Sequence, residues 1–103
     1  MITVLFHLTT REGVEPQARA LFTDMTRVTR AEGPGCINYT FHQQKKEPRQ
    51  WVLYEQWRDS AALDDHIANM KKHFGEPRPD QRLPPPLHDL HESYRVYYYD
   101  VVA

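Results

Sequence analysis

Histidine and aromatic side chains carry most of the reactive chemistry in this 103-residue chain. His66 and His73 lie seven apart with Met70 between them, which puts all three along one side of a single helix. An imidazole there titrates near physiological pH and can take a proton from a bound hydroxyl, or it can sit at a helix boundary bonded to backbone. Trp57 offers a broad ring that can stack on a flat aromatic ligand or pack in the core. Tyr39 and Tyr54 fall on adjoining extended segments, where their hydroxyls can orient a ligand oxygen or meet a second copy of the chain. His7 and Asn38 lie on the sides of their segments opposite the main apolar rows, fit for a pocket wall or a surface. Glu55 closes an extended segment, a common place for an ion-pair partner across a dimer.

Other chemistries find no foothold. Six histidines invite a metal, but His88 and His91, three apart, have no cysteine or carboxylate at a structural-zinc spacing, nor do His66 and His73. Gly33-Pro34-Gly35 runs into a strand, the wrong setting for a dinucleotide fingerprint. Ser60 lacks a nucleophile elbow and Cys36 lacks a base partner. The net charge is −1, and the only basic pairs are Lys45-Lys46 and Lys71-Lys72, so no nucleic-acid partner is expected. No apolar run approaches ~18 residues, so no membrane span is expected either. One cysteine excludes an internal disulfide and suits the reducing cytoplasm, while Met1 to Phe6 reads as a strand rather than a signal peptide. The expected partner is a small molecule or another copy of the chain.

The elements that must position these residues follow from periodicity. Residues 2–9 alternate, with Ile2, Val4, Phe6 and Leu8 on one face, so they form a strand. Ala18, Leu21, Phe22, Met25 and Val28 predict a helix over about 15–32, opened by Pro16 and stopped by Gly33-Pro34-Gly35. Strands follow at 36–43 and 50–57, the second with Trp51, Leu53, Glu55 and Trp57 on one face. Asp59 or Ser60 caps a second helix with an apolar stripe of Leu63, Ile67, Met70 and Phe74. Residues 75–93 carry five prolines and are expected to form an irregular excursion, with one helical turn near His88 to His91, that could cover a pocket as a lid. Tyr94 to Val102 is expected as a last strand. The order β-α-β-β-α-β predicts one α+β domain over 1–103, ferredoxin-like, with a four-stranded antiparallel sheet and two helices on one face. Its other face, rich in aromatic residues, needs cover, which predicts a homodimer of the dimeric α/β-barrel type.

Glu55-Gln56-Trp57 leads into Asp59-Ser60, then Leu63 and His66, and Gly33-Pro34-Gly35-Cys36 precedes Tyr39. These segments resemble the antibiotic biosynthesis monooxygenase family, in which a strand ends in Glu-x-Trp and the next helix carries Leu-x-x-His. The resemblance implies a dimer with a pocket between sheet and helices. Relatives of this kind oxidise phenols or quinols with dioxygen and no cofactor, degrade haem, or act on small carbonyl compounds. Leu53 stands where the quinone-forming enzymes have an asparagine, and His7 and His66 replace two residues of the haem degraders, leaving His73 as the only haem ligand on offer. The bacterial quinol monooxygenases match best. The implied activity is cofactor-free oxidation of a hydroquinone or polyphenol by dioxygen. His66 would be the catalytic base, and Trp57, His73, Tyr54, Tyr39, Asn38 and His7 would be the substrate-binding set. A non-catalytic dimer that binds a small aromatic or haem, or an isomerase or aldehyde-detoxifying relative, remains the alternative.

Overall fold

The computed structural model describes residues 1–103. Its elements run β1 (Ile2–Thr10), α1 (Glu15–Glu32), β2 (Cys36–Gln43), β3 (Gln50–Trp57), α2 (Ser60–Phe74), α3 (Pro85–Leu90) and β4 (His91–Asp100). The sheet order is β2-β3-β1-β4 with every neighbouring pair antiparallel, the ferredoxin-like α+β arrangement. The sheet is open, with β2 and β4 as its edges.

Register decides what the sheet presents to the helices. Tyr39, Glu55, Val4 and Tyr98 stand in one row across all four strands, and Phe41, Leu53, Phe6 and Val96 stand in the next. Both rows face the helices, because side chains alternate and this parity carries the buried Val4, Leu8, Trp51, Leu53 and Trp57. α1 buries Ala18, Phe22, Met25 and Val28 against them, and Phe22 stacks on Phe41 with ring centroids 4.2 Å apart. Each large side chain so buried contributes roughly 1.5–3 kcal/mol. The opposite parity, with Thr40, Tyr54, Leu5 and Tyr97 as its middle row, has no helix on it.

α2 starts where Asp59 Oδ1 accepts the Ala62 N–H at 2.9 Å, which makes Asp59 the cap of the two candidates, Asp59 and Ser60. It ends at Gly75, whose φ of 102° is open to glycine at little cost. Gly35 lies directly under Ala62, so that any Cβ at residue 35 would collide with the helix.

Two expectations change. The helical turn expected near His88 begins three residues earlier, at Pro85, and β4 starts at His91 rather than Tyr94. Prolines 85 and 86 fill the first turn of α3, where no backbone donor is required, and so the proline run masks a helix start. The stripe of α2 is also rotated. Ala62, His66 and Met70 are its buried residues, Leu63 and Phe74 are half-buried, and Ile67 is exposed. His66 thus occupies the middle of the packed face, which a ranking by hydrophobicity places at its edge. No helix is long and apolar enough to cross a membrane.

Candidate functional site

A cavity of about 310 Å³ opens between the sheet, α2 and the segment 77–87. Its wall is formed by the two sheet rows described above, together with Met25 from α1 and Leu83 and Leu87 from the far side. The lining is mainly apolar, and three polar side chains interrupt it at depth: Glu55, His66 and Tyr39. Such a cavity, apolar with a few convergent polar groups, is the usual form of a small-molecule site.

Glu55 is 6% exposed. Its Oε1 accepts a hydrogen bond from Trp57 Nε1 at 2.9 Å. Burial disfavours the carboxylate and pushes its pKa up to about 7, against the smaller opposing effect of the tryptophan N–H. His66 Nε2 lies 3.7 Å from the same oxygen, beyond hydrogen-bond reach. Burial pushes the imidazole down to about 4, so near neutral pH it is uncharged, and the two groups meet as a neutral base and a half-ionised acid rather than as a fixed ion pair. Trp57 is fully buried beside His66, ring centroids 4.4 Å apart, and Tyr39 sits edge-on to the imidazole at 5.3 Å. The Tyr39 hydroxyl and Thr29 Oγ1 are buried neighbours, and neither completes a hydrogen bond. Burial, followed by the nearby Glu55 charge, raises the Tyr39 pKa and keeps that hydroxyl protonated.

The structure gathers His66 and Tyr39 at the cavity, with Trp57 behind them as the donor that fixes Glu55. It holds the other expected residues elsewhere. Tyr54, Asn38 and His7 have the opposite parity and lie on the uncovered sheet face. There Asn38 Nδ2 donates to Gln56 Oε1 at 2.7 Å, and the His7 ring meets Tyr97 edge-on at 5.9 Å. His73 faces away from the cavity, its Nε2 within 3.0 Å of a Glu32 carboxylate oxygen on α1. No three His, Cys, Asp or Glu side chains converge to hold a metal ion.

Glu55 is the residue that sequence reasoning underweighted, as an ion-pair partner across a dimer. The signal was present: it shares its strand face with Trp51, Leu53 and Trp57, and a carboxylate in phase with two tryptophans must either be buried or disrupt the sheet.

Comparison with known proteins agrees with the fold. The sequence profile of the family described as antibiotic biosynthesis monooxygenase matches residues 1–75. A crystal structure named antibiotic biosynthesis monooxygenase superposes over 100% of both chains, with TM-score 0.81 and 24% identity. A Shewanella oneidensis protein superposes over 95% of this chain and 87% of its own, with TM-score 0.77 and 26% identity. An uncharacterized Synechocystis protein is 42% identical over 48 residues, which make up 46% of this chain and 33% of that protein. The match thus spans about a third of that relative's length.

Proposed function

The chain belongs to the antibiotic biosynthesis monooxygenase family, and from that premise we propose that it oxidises a hydroquinone or polyphenolic small molecule with dioxygen, without a cofactor. The observation that carries this reading is the Glu55–His66 pair at the floor of an apolar cavity.

The reaction begins with removal of a phenolic proton, because the phenolate is electron-rich enough to pass an electron to dioxygen. A phenol of pKa about 10 facing a base near 4 is mismatched by about 8 kcal/mol, whereas a base near 7 reduces the gap to about 4. His66 alone is therefore a poor acceptor, and the pair is a better one. An imidazolium formed at His66 lies 3.7 Å from the Glu55 carboxylate, whose attraction offsets part of the cost of burying that charge. The two groups then share one proton as a unit. One dioxygen balances the change at a ring carbon that bears hydrogen ortho or para to a hydroxyl, giving a quinone from a phenol and a hydroxyquinone from a hydroquinone. One oxygen atom stays on that carbon, as the new quinone carbonyl or the hydroxyl of the hydroxyquinone. The other leaves as water with the hydroxyl proton and the ring hydrogen. The Tyr39 ring supports the imidazole edge-on and forms part of the wall. The segment 77–87 covers the cavity as a lid, and the working form is a homodimer in the cytoplasm.

Oxygen uptake by the purified chain with a panel of hydroquinones and polycyclic phenols checks this. The expected kcat/KM rises with pH through about 7 as Glu55 ionises. His66→Ala and Glu55→Gln should each lower it roughly a hundredfold or more, and Glu55→Gln should also remove the rising limb. No uptake above background, or uptake indifferent to both changes, would sink the assignment.

A further inference from the structure

Lys71 and Arg82 both line the cavity, one from the last turns of α2 and one from the segment before α3. Lys71 is partly exposed and Arg82 exposed, whereas Glu55 and His66 are buried, so the two cations mark the mouth and the acid–base pair marks the floor. Lys71 stands five residues after His66, which places the mouth about 7.5 Å farther along the helix axis.

Neither cation has a carboxylate within ion-pairing distance, and neither donates a hydrogen bond to another side chain or to the backbone. Other arginines are paired. Arg78, four residues before Arg82, is held by both oxygens of Asp89 at 2.8 and 3.0 Å. Arg49 pairs with Glu47 and Glu92, and Arg58 pairs with Asp59. The Arg78–Asp89 bond ties the segment to α3 and leaves Arg82 at the cavity with its charge uncompensated.

The geometry points to a substrate with an anionic group, a carboxylate, at the end remote from its phenolic hydroxyl. Held this way round, the anion meets Lys71 and Arg82 while the hydroxyl reaches Glu55 and His66, and the ring system fills the apolar middle. The reverse orientation puts the anion against the Glu55 carboxyl, so charge alone fixes the direction of entry. This inference rests on the cavity being the substrate site, and it adds the class of substrate: a hydroxylated fused-ring arene carboxylate.

Calorimetric titration of the full chain under nitrogen, which prevents turnover, tests it with two probes. One is a hydroxynaphthoate with its two groups at opposite ends. The other is the naphthol that lacks the carboxylate. The hydroxynaphthoate should bind about tenfold more tightly, with a preference that shrinks as salt is added. In Lys71→Gln/Arg82→Gln the preference should disappear while naphthol binding stays as it was. Equal binding of the two probes, or a preference that survives the double substitution, overturns the anion site and leaves the cavity reading standing. Failure of both probes to bind overturns the two together.

Discussion

Buried carboxylates are costly, and Glu55 lies among Tyr39, Trp57 and Val4 with a single hydrogen-bond donor, Trp57 Nε1. Between its ordinary pKa of 4.5 and the folded value of about 7, the folded chain binds more protons at Glu55 than the unfolded chain does. The stability this group contributes is therefore fully present below about 4.5 and lost as pH rises through about 7. His66 works in the other sense: its contribution is present above 6.5 and lost as pH falls through about 4. Glu55→Gln keeps an acceptor for Trp57 Nε1 and removes the charge. It should stabilise the fold by about 3 kcal/mol near pH 8 and by little near pH 4. Urea unfolding at the two pH values checks this, and an equal change at both would show that the raised carboxyl is not the cause. The variant should thus be sturdier at the pH where it is catalytically poorer, the trade expected when strain is kept at a site. At this scale the sequence was informative but ambiguous. Strand parity separates Glu55 and Trp57 from Tyr54, and Tyr39 from Asn38, yet both faces of β3 carry aromatic residues. Only the helices reveal which face encloses a cavity.

The strands and the two long helices were legible because each has a clean period. β2 and β3 have the bounds that alternation alone assigns, and α1 runs from Glu15 to Glu32 as its apolar spacing predicts. The segment between α2 and β4 was less legible, because its prolines punctuate the pattern that would reveal α3. The rotation of α2 was hidden for another reason: a histidine at the centre of a packed face is stabilised by its neighbours, and periodicity does not see neighbours. At that rotation Ala62 packs closely over Gly35. Gly35→Ala should push α2 off the sheet at a cost of about 1–3 kcal/mol and loosen the His66–Glu55 approach. Pairing it with Ala62→Gly should recover part of the loss, less the cost of a glycine within a helix. Thermal unfolding of the three variants measures this. A double variant no more stable than Gly35→Ala would remove the contact from the account.

The whole molecule has one covered sheet face and one bare one. On the bare face Tyr54, Leu5 and Tyr97 align across β3, β1 and β4, with the Asn38–Gln56–Thr3 hydrogen-bonded row beside them. A second sheet laid over that strip is the proposed dimer, and the native chain should sediment as a dimer at micromolar concentration. Leu5→Lys places a charge at the centre of the strip and should yield a monomer that keeps its secondary structure. A native chain that sediments as a monomer contradicts the pairing. The placement of β1 has a further consequence for how the molecule is made. β1 is synthesised before both of its partners, β3, whose residues begin at Gln50, and β4, whose residues begin at His91. On the ribosome it must wait for both, and one of its edges stays unsatisfied until β4 has emerged. Val4 and Phe6 wait with it, and Tyr94, Val96 and Tyr98 complete the cavity wall only when β4 docks. The cavity is thus completed only when β4 joins β1, and no fragment that lacks β4 carries its full wall.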